Sequence, residues 1–228
     1  MFSRSVFQQI IPLVIGSAII GVSFGAIATS SGLAWYEASL MSLTVFAGAS
    51  QFAVVSIGAT GSAVLAVAAG LVLNARHLPY GLAVGDIFWR KGVFATLLGP
   101  VFLIDESTAY ALKARDGDEA RVGFWTLGLS FYLSWNVGTL LGAFGGAFID
   151  DPNAFGLDAA MPAALLALIL TNLRDKATLV ASVVGAAFAL AATPYLPAGV
   201  PVLLALAGVV VAYFLESGRE RTTEKETV

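Results

Sequence analysis

Three short clusters place reactive side chains inside an otherwise apolar chain. The first is Gly48, Ser50 and Gln51 in the run Phe46-Ala47-Gly48-Ala49-Ser50-Gln51. The second is Asn74, Arg76 and His77, closed by Pro79, and the third is Asp105 and Glu106 shortly after Gly99-Pro100. Together they offer a guanidinium, the chain's single imidazole, two carboxylates, a hydroxyl and two amides. Such a set can hold an anionic and a cationic group side by side, and His77, Asp105 and Glu106 can each carry a proton. With no Cys and one His, neither a thiolate nor a histidine-rich metal site can be built, and no metal is expected. No G-x-x-x-x-G-K-[ST] loop is present for a nucleotide, and no cofactor is expected.

Each cluster has local physics of its own. Gly48 and Ala49 let backbones approach closely. Ser50 is placed to cap a half-helix starting at Gln51, which would aim backbone N–H groups and a positive helix end at an anion. The same small residues also suit plain helix packing. Pro79 has no N–H for the Ala75 carbonyl, which frees that oxygen for a ligand or simply kinks the helix. An Arg or Asp at the centre of a span costs about 2.5–3.5 kcal/mol on insertion scales, so Arg76, Asp105 and Glu106 are expected to be paired, functional or both. On a continuous helix Gly70, Asn74, His77 and Gly81 share one stripe, while Arg76 points about 200° away from Asn74. Arg76 can therefore share their cavity only if the helix unwinds near Pro79. Asn136, beside Trp135, is a weaker candidate for the same cavity, with interhelical hydrogen bonding as its alternative role.

The elements that must position these residues follow from composition. The 228 residues are 58% hydrophobic and only 12% charged, with a mean hydropathy of +0.85. Soluble domains carry about 25% charged residues, so this chain lacks the polar surface that water demands. Apolar blocks close to the roughly 20 residues of a membrane-spanning helix recur at 10–28, 39–57, 63–85, 93–112, 124–148, 159–171, 177–193 and 200–215. The expected architecture is all-α and polytopic, with seven or eight transmembrane segments, some broken near the midplane. The block at 10–28 reads as an uncleaved first helix rather than a signal peptide. Residues 1–215 form one transmembrane domain, and 216–228 a charged tail.

Lys113, Arg115 and Arg121, then Arg174 and Lys176, then Arg219, Arg221 and Lys225 mark cytoplasmic stretches, including the C-terminus, whereas 150–158 and 194–199 carry no Lys or Arg. Arg90 and Lys91 break the pattern if 93–112 crosses fully. If that segment is re-entrant they fall inside, and eight spans become seven. A net charge of -3 with no basic stripe argues against nucleic acid as a partner. A weak internal repeat is a further candidate feature: Gly-x-x-Phe-Gly then Gly-Leu over 21–33, and Gly-x-Phe-Gly then Gly-Leu over 142–157.

Taken together these residues resemble the AzlC family of bacterial membrane proteins, which is associated with export of branched-chain amino acids. The resemblance is carried by Ser-Gly-Leu around Ser31, by Val45-Phe46-Ala47-Gly48-Ala49-Ser50-Gln51-Phe52, by Asn74-Ala75-Arg76-His77 with Tyr80-Gly81, by Phe102-Leu103 with Asp105-Glu106, and by Gly156-Leu157-Asp158. It extends over roughly residues 10–170. Ile104 stands where the family usually has Thr, and Pro79 interrupts the stretch between His77 and Tyr80. The resemblance implies a permease of the bacterial inner membrane that exports Leu, Ile and Val, with Met as a further candidate, by proton coupling, working with a small AzlD-like membrane subunit. On that reading Gly48, Ser50, Gln51, Asn74 and Arg76 bind the amino acid, and His77, Asp105 and Glu106 serve the proton. Two other readings stay open: a channel or a transporter subunit inactive alone, and an intramembrane protease using Ser50 and His77.

Overall fold

The computed structural model describes residues 4–146 apart from 90 and 115, residues 172–214 apart from 198, and isolated positions at 159, 163, 166 and 170; for residues 4–9 it describes the backbone only. All regular structure among them is helical. The expected span at 159–171 apart from those four positions, the residues 147–158 that hold the second repeat copy's Gly156-Leu157, and the tail 216–228 lie outside the described residues.

Two long helices form the spine: α1 (Arg4–Ser30) and α8 (Gly117–Gly146). They run parallel. Ser17 bonds Ser134 at 2.6 Å, Gly21 faces Trp135 and Thr139, Gly25 faces Thr139 and Ala143, and Gly146 faces Ala26 and Thr29. The approach is backbone to backbone: a Cβ on Gly25 would lie 2.1 Å from the Thr139 carbonyl oxygen, and one on Gly142 2.0 Å from that of Val22. Only glycine permits this spacing, because lipid tails offer no hydrophobic gain to drive helices together and close van der Waals contact must do it instead.

Between these helices the chain makes one long helical run and two hairpins. α4 (Ala63–Asn74) and α5 (His77–Val84) continue into a 3-10 turn and form a single run, Ala63–Ile87. It and Ile10–Ser30 are the two described stretches long and apolar enough to cross a membrane by length and composition. The run finishes beside the start of α8, where Phe88 stacks on Phe124. At about 1.5 Å per residue its 25 residues reach back some 37 Å, so Ala63 lies at the other end of α8.

That fixes the path of α2 (Trp35–Thr44) and α3 (Gly48–Gly58). Trp35 stacks on Phe144, so α2 starts at the same end at which α4 starts. The segment must dip inward and return. Its tip is residues 45–47, where Phe46 packs edge-on against Tyr132. The return leg lies beside α4, with Gly61 at φ +88° turning the corner, a conformation glycine adopts without strain. The expected straight span at 39–57 is thus a helical hairpin.

α6 (Val93–Leu98) and α7 (Asp105–Lys113) repeat the device from the opposite end. Gly99 packs on Phe88 and Gly128 on Phe102, while Gly123 receives Tyr110, so the chain rises to a tip at 103–104 and falls back. This is the re-entrant alternative for 93–112, and it leaves Lys91 at the same end as Lys113 and Arg121. Beyond the gap, α9 (Lys176–Ala192) is capped by Asp175, whose carboxylate accepts from the Thr178 N–H. It packs against α10 (Val200–Leu204), with the Gly208 backbone close to Ala181 and Gly185.

Candidate functional site

The two hairpin tips and the join between α4 and α5 meet at one place. Together with α1 and α8 they line an open cavity of about 470 Å³. Its floor and walls include Gly48, Arg76, His77, Asp105 and Glu106, so all three interrupted segments do converge on one site. The apolar side comes from Ile20, Phe46, Ile104, Phe131 and Trp135.

Arg76 reaches Asp105 across the cavity, Nη1 to Oδ2 at 2.9 Å. The other Asp105 oxygen accepts a hydrogen bond from the Tyr80 hydroxyl. Asp105 is the first residue of α7, where the helix's positive end favours a carboxylate. The helix start is fixed by Ser107, whose hydroxyl accepts from the Ile104 N–H and donates to the Phe102 carbonyl. The Arg76 Nε is buried and has no hydrogen-bond partner, so the guanidinium keeps a donor in hand. Glu106 lines the same cavity, half-buried.

Arg76 enters the cavity without the unwinding that helix phase called for. Ala75 and Arg76 stay right-handed, at φ/ψ of -57°/-24° and -58°/-24°, and only the hydrogen bonding tightens. The Ala75 N–H turns to the Val72 carbonyl, and the Leu78 N–H to the Ala75 carbonyl. The Ala75 oxygen is therefore taken, not free. Pro79 sits in the first turn of α5, where its missing N–H matters least. The orphan created is the Asn74 carbonyl, and His77 Nδ1 covers it at 2.9 Å. A carbonyl can only accept, so Nδ1 is the donor of this bond.

Three candidates sit behind the cavity surface rather than on it. Ser50 is buried and donates to the Gly70 carbonyl at 3.2 Å; α3 begins at Gly48 with Ala47 as its N-cap and no side-chain cap, so Ser50 ties α3 to α4 instead of capping. Gln51 is completely buried. Its Nε2 donates to the Val45 carbonyl and, at 3.4 Å, to that of Met41, while its Oε1 accepts from Trp135 Nε1 at 3.0 Å. One amide thus pins the first tip to α2 and α8. The Asn74 Oδ1 is buried and unpartnered. Asn136 donates to the Tyr132 carbonyl of its own helix, not to a neighbouring one. Ser50 and His77 each spend their bonds elsewhere and form no dyad.

Sequence reasoning did not single out Tyr80 as a partner of Asp105, nor Trp135 as a wall of the cavity. Tyr80 was visible only as part of a motif. A neutral phenol incurs little penalty in a span and so raises no alarm.

Hairpins dipping from opposite ends, a charged pair held at their tips and a surface of apolar side chains define an integral membrane protein of the helical kind. The chain belongs to the AzlC family, whose AzlC protein description matches residues 12–149. It is 31% identical over 182 residues to an uncharacterized membrane protein of Archaeoglobus fulgidus, covering 79% of this chain and 80% of the relative. It is 30% identical over 187 residues to the inner membrane protein YgaZ of Escherichia coli, covering 77% and 76%. The branched-chain amino acid transport protein AzlC of Bacillus subtilis is 27% identical over 172 residues, covering 73% and 66%. No solved structure matches the chain.

Proposed function

We propose that this chain is the permease of a secondary export system for branched-chain amino acids, Leu, Ile and Val with Met as a further substrate, driven by protons moving inward. It is not an enzyme on this reading. Its partner is a small AzlD-like membrane subunit. Family membership and the transport protein among its relatives support the class, and one observation carries the reading: the Arg76–Asp105 pair lines a cavity whose other walls are mainly apolar.

A zwitterion suits that pair better than any simple ion does. Its carboxylate can replace Asp105 on the guanidinium while its ammonium replaces Arg76 on the carboxylate, so no charge is left bare. An anion alone would strand the part-buried Asp105 without its counter-charge. The start of α3, which has no side-chain cap and whose Gly48 and Ala49 line the cavity, adds a site for the substrate carboxylate. The cavity volume falls within the roughly 300–1,000 Å³ usual for small ligands, and Ile20, Phe46 and Ile104 offer an aliphatic side chain an apolar surface.

The positive-inside rule supports the end holding Lys91, Lys113 and Arg121 as the cytoplasmic one. Because α1 runs parallel to α8, the N-terminus shares that side. Arg174 and Lys176, just ahead of α9, and Arg219, Arg221 and Lys225 beyond Phe214 support the cytoplasm as the side of the C-terminus.

The test is counterflow of labelled leucine in proteoliposomes, with and without the small subunit. Arg76→Lys keeps the charge but not the two-pronged geometry that a carboxylate accepts, and is expected to lose at least tenfold, as is Arg76→Ala. Wild-type counterflow by both variants would refute substrate binding at this pair, and flux that never saturates would indicate a channel.

A further inference from the structure

We infer that Glu106 is the proton-carrying group of this site, and that the substrate ammonium expels its proton, so that one proton enters for each amino acid exported. The inference rests on the transporter reading above and divides the labour among three candidates that the sequence leaves equal.

Asp105 is fully engaged. One oxygen takes Arg76 and the other takes the Tyr80 hydroxyl, so its negative charge is balanced in place. His77 is committed through Nδ1 to the Asn74 carbonyl, a bond that mends the join between α4 and α5 and would be kept in either protonation state. Glu106 is different: it lines the cavity next to Asp105, its own backbone N–H lies against the carboxylate, and among the described residues no other side chain is hydrogen-bonded or ion-paired to it.

The groups facing it make the consequence plain. Asp105 is its neighbour on α7, with Tyr110 one turn further along the same helix. From α4 and α5 come Arg76, His77 and Tyr80. α1, the first hairpin tip and α8 contribute to the cavity only side chains that do not titrate. The single fixed cation is already matched by Asp105, so an ionised Glu106 leaves the cavity with one uncompensated negative charge. A proton on the Glu106 carboxyl removes it; a bound zwitterion leaves the net charge unchanged, but with its carboxylate on Arg76 its ammonium lies against both carboxylates and competes with the proton for Glu106. Each weakens the other, since coupling between two bound species is reciprocal. When the ammonium arrives, the Glu106 O–H bond breaks and the proton passes to water; when it leaves, a proton from the opposite side takes its place. No other reactant is needed for the balance.

The experiment uses purified chain with its small subunit in proteoliposomes. Two readouts are taken: leucine counterflow at several pH values without a gradient, and leucine accumulation driven by a pH gradient. Glu106→Gln is expected to exchange leucine at a rate that no longer varies with pH and to lose gradient-driven accumulation at least tenfold, while the pH dependence survives in His77→Gln. Accumulation by Glu106→Gln at the wild-type level would overturn the assignment, as would transfer of the pH dependence to His77. A second measurement needs no variant: leucine added to wild-type protein in weakly buffered detergent, with a pH-sensitive dye, should release a proton, and no release would overturn the competition. Absence of counterflow in wild type would instead refute the transporter reading itself.

Discussion

Gln51→Leu isolates the role of the amide that holds the first hairpin tip. Leucine fills a similar volume, so the change deletes hydrogen bonds more than packing. The Met41 carbonyl keeps the Val45 N–H and the Val45 carbonyl keeps the Ala47 N–H, so neither oxygen is wholly orphaned. The Trp135 indole N–H has no substitute and is left bare against α3. An unpaired buried donor costs about 1–3 kcal/mol and a lost neutral hydrogen bond about 0.5–1.5 kcal/mol, which sum to roughly 2–4 kcal/mol. At about 2–4 °C per kcal/mol for a chain of this size, Tm should fall by roughly 5–15 °C. The assay is survival of the monodisperse peak after heating in detergent. Trp135→Phe on the Gln51→Leu background removes the stranded donor as well, so the double variant should be at least 1 kcal/mol, on the scale of one unpaired donor, better than the sum of the singles. A Gln51→Leu melting curve within about 2 °C of wild type, under 1 kcal/mol on the same scale, would refute the clamp.

Two other outcomes are expected. Gly25→Ala should force α1 away from α8 by about 1 Å, judged from the 2.1 Å gap to the Thr139 carbonyl and ordinary carbon–oxygen contact, costing about 1–3 kcal/mol by overpacking; Gly16→Ala, where a Cβ meets nothing within 4 Å, should leave Tm unchanged in the same melt. A cysteine at Gly117, in a chain that has none, should resist an impermeant thiol reagent in intact cells and react in inverted vesicles, and the reverse would overturn the cytoplasmic placement of residues 113–121.

The sequence made the site legible because charge is expensive in hydrocarbon. Arg76, Asp105 and Glu106 stand out at once, and the small residues at Gly48 and Ala49 mark a third interruption. The hairpins were less legible, since 39–57 and 93–112 have the same length and hydropathy whether they pass through or turn back. Contacts far apart in sequence decide it, Trp35 on Phe144 and Phe88 on Phe124. Ser50 and Pro79 show the limit of local rules. A serine near a helix start reads as a cap until a carbonyl from another helix, Gly70, claims it. A proline reads as a break until the helix restarts just ahead of it.

The parallel pairing of α1 with α8 sets an order of events during synthesis. The glycine face of α1 is made first, but its partner face on α8 follows only after residues 31–116 have left the ribosome. At about 5–20 residues per second this is a wait on the order of ten seconds. Throughout it, Gly21 and Gly25 present bare backbone to lipid, and the first hairpin has no α8 to receive Gln51 or Trp35. The hairpins cannot take their final depth until translation has passed Trp135, so the cavity closes late, around a spine whose two helices are separated by residues 31–116. Truncation before α8 should therefore leave an inserted but unassembled chain, open to the quality-control proteases of the membrane.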